Sequence, residues 1–266
     1  MTEPMQTKIP KVVILAGGLG TRLAEETDLK PKPMVEIGGR PILWHIMKHF
    51  AGHGAREFFI ALGYKGQVIK RFFVDEIQLG GDLVVETSDG RITNRAAASE
   101  DWTVHLCETG LETNTGGRLR RLRRHVDGER VLLTYGDGVS DVPVDKLLGF
   151  HENHGRLATV TAVRPPARFG GLVFDGDLVK EFIEKPQIGE GWINGGFMVL
   201  EPGVFEHLSG DGDSLEADML EKLAEIGELA AYRHSGFWQC MDTLRELRML
   251  QSLWEEGNAP WKSWDV

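Results

Sequence analysis

Residues 11–16, KVVILA, are a short β-branched apolar run that stops at Gly17 and Gly18. A run with almost no polar position has no face to offer water, so it predicts a strand buried on both sides of a mostly parallel sheet. Such sheets carry helices on both faces and take ligands at the carboxyl ends of their strands. The predicted class is therefore α/β, a doubly wound, Rossmann-like core. Residues 1–10 are polar and read as a flexible N-terminal extension, with residues 11–266 as a single domain.

The pattern downstream agrees. Ile42, Leu43, Ile46, Met47 and Phe50 recur at helical spacing behind Pro41, which predicts a helix over 41–53. Residues 57–62 read as the next strand, 68–74 as a helix, and 131–135 as a third buried strand ending at Gly136-Asp137-Gly138. In the second half, strand-like runs at 157–163, 171–174, 178–183 and 197–200 are separated by Gly, Pro and Asp, with few helices between them. They predict an added mixed or antiparallel part. Helical spacing returns at 214–226 and 243–254. Residues 75–101, rich in Gly, Asp, Thr and Ser, are the least regular stretch and are expected to form a flap or an oligomer contact.

Lys plus Arg number 30 against 40 Asp plus Glu, a formal net charge of −10. A chain so charged repels a polyanion, which argues against nucleic acid and leaves room for a small phosphorylated ligand in a locally basic pocket. Cys107 and Cys240 have no metal-ligand spacing around them and suit free thiols in the cytoplasm. No run approaches the ~20 apolar residues that cross a bilayer, so no membrane partner is expected.

The turn Leu15-Ala16-Gly17-Gly18-Leu19-Gly20-Thr21-Arg22 lacks the third glycine of the dinucleotide fingerprint and the Lys-Ser/Thr of the Walker loop. What remains is backbone N–H groups that can approach an anion closely, followed by an arginine able to fork two phosphate oxygens. A tight βα turn that needs glycine for its dihedrals is the plain alternative. In Lys30-Pro31-Lys32-Pro33 the flanking prolines restrict the backbone and favour a positioned ammonium. A solvated surface loop is the alternative there.

With LAGGLGTRL followed by KPKPM, the chain resembles the sugar-1-phosphate nucleotidyltransferases. Within them it is most similar to the cytidylyltransferases of glucose 1-phosphate, through EETDLKPKPMVEIGGRPILWHIM, NTGGRL, TYGDGV, INGGF and GFWQCMDTLREL. The likeness implies transfer of a cytidylyl group from CTP to glucose 1-phosphate, giving CDP-glucose and pyrophosphate, with Mg²⁺. It also implies a homo-oligomer, a hexamer among the forms expected. The chemistry is consistent with a chain that shows no catalytic triad: the nucleophile is already a phosphate, mostly dianionic at neutral pH with a second pKa near ~6, and needs no protein base. The barrier lies in bringing two polyanions together, which calls for positioned cations and a metal.

The resemblance also assigns residues. Asp137 and Asp242 match the Mg²⁺ carboxylates; turn formation by Gly-Asp-Gly and helix capping at Thr243 are their alternatives. Arg22 matches the arginine on the β and γ phosphates, Lys32 the lysine on the α-phosphate, and Lys185 the lysine on the sugar's phosphate. Leu15, Ala16, Gly17, Gly18, Gly20, Thr21, Thr113, Arg118 and Gly136 match nucleotide contacts. Arg118 is expected at the O2 and N3 acceptors of cytosine, or else as the start of a surface-paired basic helix over 118–124. Glu184, Asn194 and Gly195, with Gly196, match sugar contacts. The loop Glu112-Thr113-Asn114 departs from the family pattern, and Cys240 stands where a proline is expected. Its thiol is read as packing, with sensitivity to thiol reagents as an alternative. A uridylyl or thymidylyl transferase, or a non-catalytic nucleotide-sugar sensor of the same fold, are the competing readings.

Overall fold

A computed structural model describes residues 9–18, 30–95, 100–126, 128–165, 171–175, 178–183 and 191–264. Along the chain run β1 (Lys11–Leu15), β2 (Glu36–Ile37), β3 (Arg40–Pro41), α1 (Ile42–Gly52), β4 (Glu57–Leu62), α2 (Gly66–Gln78), β5 (Asp82–Glu86), β6 (Arg91–Arg95), β7 (Thr103–Glu108) and α3 (Thr115–Val126). There follow β8 (Val131–Tyr135), β9 (Gly138–Ser140), α4 (Val144–His154), β10 (Ala158–Val163), β11 (Gly171–Asp175), β12 (Leu178–Ile183), β13 (Ile193–Asn194) and β14 (Met198–Leu200). The chain closes with α5 (Glu221–Glu225), β15 (Leu229–Arg233), β16 (Trp238–Cys240) and α6 (Leu244–Glu255).

The main sheet has eight strands in the order β13-β10-β14-β8-β1-β4-β7, with β15 paired to β10. β8, β1, β4 and β7 are parallel neighbours, while β14 runs antiparallel to both β8 and β10. The expected parallel core with a mixed addition is what forms. The pleat of β1 explains why its sequence is apolar throughout. Val12 and Ile14 enter a core built with α1, α4 and α6, whereas Val13 and Leu15 enter one built with α3 and the segment from Leu215 to Leu223. Each buried aliphatic side chain contributes about 2 kcal/mol, so the strand that carries the glycine turn is anchored from both faces.

Several elements differ from expectation. The helix expected over 68–74 spans Gly66–Gln78. Residues 214–226 begin as a π-helical turn, Leu215–Leu220, and become α-helical only at Glu221–Glu225. Ser214 caps that turn by accepting from the N–H groups of Glu216 and Ala217. The stretch expected to be least regular holds the end of α2 and a β5–β6 hairpin. β7, α4 and β15 had no strong periodic signal. β7 carries charge at its end and alternates weakly because it is the sheet's edge, half-exposed along its length. No described helix is long and apolar enough to cross a membrane.

Candidate active site

The parallel strands β1 and β8 end side by side, Leu15 opposite Tyr135, and the Gly136 N–H donates to the Leu15 carbonyl at 3.0 Å. Two turns therefore leave the sheet together, the glycine turn at Ala16-Gly17-Gly18 and the Gly136-Asp137-Gly138 turn. Gly136 is needed for space: a Cβ there would meet the Leu15 carbonyl oxygen and the Pro33 ring, each at 3.1 Å. The chain then pairs β9 with β16, Gly138 opposite Cys240, and the Met241 N–H donates to the Asp137 carbonyl at 2.8 Å. That register brings Asp242 beside Asp137 across more than a hundred residues of sequence.

Between them lies Lys32, fixed in the 3-10 turn Lys32–Met34 between Pro31 and Pro33. Its Nζ donates to Asp137 Oδ2 at 2.7 Å and to Asp242 Oδ1. The Lys32 side chain is 11% exposed. Burial alone would lower its pKa, but Asp137 and then Asp242 more than offset this and raise it, so the ammonium is charged at neutral pH. The helix cap belongs to Thr243, whose hydroxyl accepts from the Glu246 N–H while Glu246 accepts from the N–H groups of Asp242 and Thr243. Capping therefore does not account for the Asp242 side chain.

Two hard oxygen donors that converge on one cation suit Mg²⁺ in charge and donor type, with phosphate oxygens and water left to complete its shell. No group of three or more His, Cys, Asp or Glu able to hold a metal occurs among the described residues. Such an ion would need its non-protein ligands.

A cleft of ≈ 380 Å³ opens here, lined by Leu15, Ala16, Gly17, Gly18, Lys32, Pro33, Thr113, Asn114, Thr115, Arg118, Tyr135, Gly136, Asp137 and Asp242. Every expected nucleotide and metal residue that is described thus faces one space. Gly20, Thr21, Arg22, Glu184 and Lys185 lie outside the described residues. Asn194 and Gly195 sit at the cleft's flank. Asn194 Nδ2 donates to the Tyr135 hydroxyl at 3.4 Å, and Trp238 Nε1 donates to the Gly195 carbonyl at 2.7 Å. Gly196 adopts φ +73° and lies against the Tyr135 ring, where a Cβ would fall 3.1 Å from the ring edge.

Arg118 is in the cleft wall, where its guanidinium is engaged by backbone carbonyls of the wall itself. It is 4% exposed. Its guanidinium donates to the carbonyls of Leu62, Gly110, Gly17 and Leu111 and to the Thr109 hydroxyl, at 2.7–3.3 Å. Burial, aided by nearby Arg121, lowers its pKa from the ordinary arginine value. The guanidinium ties the glycine turn, the end of β4 and the loop after β7 into one wall. The surface-paired alternative does not hold: α3 begins at Thr115, and Arg118, in its first turn, is buried. The neighbouring glycines have a steric reason. A Cβ on Gly17 would fall 2.3 Å from Arg118 Cζ, and one on Gly117 2.3 Å from the Asp211 carbonyl oxygen.

Sequence reasoning passed over Tyr135 and Glu216. The Tyr135 hydroxyl donates to Glu216 Oε1 at 2.6 Å, and the hydroxyls of Thr115 and Ser214 donate to Glu216 Oε2 at 2.9 and 2.8 Å. Burial would raise the Glu216 pKa, but these donors, led by Tyr135, hold it below the usual carboxylate value. The available signal was an aromatic hydroxyl immediately before Gly136-Asp137. Cys240, beside the aspartates, has its thiol pushed up to about 12 by burial and by Asp242, Glu246 and Asp137. A protonated thiol does not favour the reagent sensitivity considered above.

Comparison with known proteins agrees with the geometry. The family model described as nucleotidyl transferase matches residues 11–255. A glucose-1-phosphate cytidylyltransferase of Salmonella typhi is 50% identical over 256 residues, covering 96% of this chain and all of that protein. The mannose-1-phosphate guanylyltransferase catalytic subunit beta of Danio rerio is 30% identical over 236 residues, 86% of this chain and 60% of that protein. Among solved structures, HddC from Yersinia pseudotuberculosis superposes with a TM-score of 0.69 at 23% identity, covering 92% of this chain and 100% of that one, which speaks to the fold. With the glycine turn, the paired aspartates and the match over residues 11–255 in agreement, the chain belongs to the nucleotidyl transferase family.

Proposed function

We propose that this chain transfers a cytidylyl group from CTP to glucose 1-phosphate, releasing pyrophosphate and forming CDP-glucose, with Mg²⁺ as its metal. The observation that carries the reading is the Lys32 ammonium shared by Asp137 and Asp242 in the cleft that the glycine turn also lines. The 50% identity to a glucose-1-phosphate cytidylyltransferase over the length of that protein supports the choice of substrates.

In this reading CTP lies along the cleft, its phosphates against the N–H groups of the glycine turn and its base walled by Thr113 and the loop that Arg118 fixes. Arg118 serves as a positioning residue for that wall. A phosphate oxygen of glucose 1-phosphate attacks the α-phosphorus, a new P–O bond forms, and the bond from the α-phosphorus to the bridging oxygen breaks with pyrophosphate leaving in line. Lys32 turns to the α-phosphate and offsets the charge that builds there, Arg22 holds the departing pyrophosphate, and Lys185 holds the sugar's phosphate. Glu184, Asn194 and Gly195 meet the sugar hydroxyls. Bound Mg²⁺, held by Asp137 and Asp242, supplies neutralisation of the phosphate oxygens. The enzyme works in the cytoplasm as an assembly of identical copies.

The test is pyrophosphate release measured across CTP, UTP, dTTP, ATP and GTP against several sugar 1-phosphates. The expected result is a maximum at CTP with glucose 1-phosphate. A maximum at UTP or dTTP would overturn the cytidylyl assignment, and no release with any pair would favour the sensor reading.

A further inference from the structure

Glu216 takes three hydroxyl protons: Tyr135 Oη donates to its Oε1 at 2.6 Å, and the Thr115 and Ser214 hydroxyls donate to its Oε2 at 2.9 and 2.8 Å. A hydroxyl has a single hydrogen, so each of these oxygens can otherwise only accept. Thr115 and Ser214 already do so. Thr115 Oγ1 accepts from the Leu215 N–H at 2.8 Å, and Ser214 Oγ accepts from the N–H groups of Glu216 and Ala217, each at 3.2 Å. Tyr135 Oη is different: among the described residues it accepts only from Asn194 Nδ2, at 3.4 Å. A contact that long leaves acceptor capacity unused. Giving its proton to a carboxylate also makes a phenol oxygen a stronger acceptor. Tyr135 lines the cleft, whereas Glu216 stands behind it.

The sheet places this acceptor. Tyr135, on β8, lies between the glycine turn after β1 and the β14-β10-β13 side that carries Asn194. Asn194 Oδ1 accepts from the Gly196 N–H at 3.0 Å, which turns the amide NH₂ toward Tyr135. A donor, Asn194 Nδ2, and an acceptor, Tyr135 Oη, therefore stand side by side at the cleft's flank. Two neighbouring hydroxyls of a pyranose present the matching pair, one accepting and the other donating. A dianionic phosphate accepts only, so it has nothing to give the Tyr135 oxygen. The chemistry that fits is a sugar hydroxyl.

Glu216 is itself held in place. The segment before it is bonded to the start of α3, with the Asn114 N–H donating to the Asp211 carbonyl at 2.9 Å and the Gly117 N–H to the Asp213 carbonyl at 3.0 Å. Ser214 then caps the π-helical turn Leu215–Leu220 on which Glu216 sits. A supporting residue fixed in this way pre-organises the group that it holds. We propose that Glu216 is a positioning residue for the sugar: it takes the Tyr135 proton and so presents the Tyr135 oxygen as acceptor to a hydroxyl of the sugar 1-phosphate, beside Asn194. This rests on the reading above that the cleft takes a sugar 1-phosphate, and it adds the residues that read one of the sugar's hydroxyls.

Steady-state pyrophosphate release by the wild type, Tyr135→Phe, Glu216→Gln and the double variant tests it, with far-UV circular dichroism confirming folding. Tyr135→Phe keeps the ring and is expected to raise KM for glucose 1-phosphate about tenfold, the scale of one hydrogen bond, with kcat little changed. Across a set of monodeoxy glucose 1-phosphates, that penalty should vanish for the one that lacks the hydroxyl Tyr135 meets. Glu216→Gln is expected to raise the same KM about fivefold, and by less than about twofold in the Tyr135→Phe background, because it acts through that oxygen. An unchanged KM in Tyr135→Phe, a penalty equal for every deoxy sugar, or costs that multiply in the double variant would overturn the proposal and leave the parent reading standing. A wild type that releases pyrophosphate with no sugar 1-phosphate would overturn both.

Discussion

Replacing Arg118 by methionine keeps the unbranched apolar stem and removes the guanidinium with all its donors. The loss can be worked from the acceptors. The Leu62 carbonyl keeps the Thr109 N–H at 3.1 Å and the Thr109 hydroxyl at 2.6 Å, and the Gly17 carbonyl keeps the Tyr64 N–H at 3.3 Å. The Gly110 and Leu111 carbonyls, by contrast, depend on the guanidinium among the described residues. Stripping each of these two part-buried acceptors costs about 1–1.5 kcal/mol, and weakening the remaining contacts adds about 1 more, so a total of about 3–4 kcal/mol is expected. Arg118→Lys keeps the charge but not the fork and is expected to recover less than half. Urea unfolding followed by tryptophan fluorescence gives the stability, and calorimetric titration with CTP gives the affinity, which should fall about tenfold or more as the glycine turn loosens. A methionine variant within about 0.5 kcal/mol of wild type would refute the reasoning, since the wall would then stand without its clamp.

Lys32→Ala leaves two carboxylates facing one another without their shared ammonium. Its melting temperature without metal should drop, and Mg²⁺ should recover more of that drop than it adds to wild type; equal metal effects on both proteins would count against a common cation position. His49 and His45 are buried and held neutral, their pKa values pushed down to about 3 and about 4 chiefly by burial. Unfolded histidine binds its proton near 6.5, so the unfolded state gains protons first as pH falls. Stability should therefore decline from pH ~6.5 toward ~4, by about 1.4 kcal/mol per pH unit for each residue. His49→Phe should remove close to half of that slope, as read from urea midpoints at each pH. Iodoacetamide at pH 7.5 should label Cys240 slowly and leave activity intact, because its thiol stays protonated; rapid inactivation prevented by Cys240→Ser would contradict this.

What could be read in the sequence follows from which residues carry a local signal. β1, α1, β4 and β8 are apolar enough for their burial to be evident, and the turns after β1 and β8 announce themselves by glycine. Asp137 was legible because it stands between two glycines at a strand end. Asp242 was not legible from its own surroundings: its place beside Asp137 depends on β16 pairing with β9, two three-residue strands with weak periodicity, and only the family likeness pointed to it. The burial of Arg118 was not legible for a similar reason. An arginine at the start of a basic helix looks solvent-exposed, and nothing local says that Gly17 and Gly63 leave the hollow its guanidinium occupies. The β5–β6 hairpin escaped because its strands mix charge with short apolar stretches, a pattern that also describes an irregular loop.

The central claim is that Asp137 and Asp242 hold one divalent ion against the nucleotide while Lys32 passes to the α-phosphate. A crystal structure with CTP and Mg²⁺ tests it most directly. The expected result is a single ion about 2.1 Å from an oxygen of each aspartate, bridging to the phosphates, with Lys32 Nζ moved onto the α-phosphate. Nucleotide bound with its phosphates elsewhere, no ion shared by the two carboxylates, and Lys32 still between them would contradict the account.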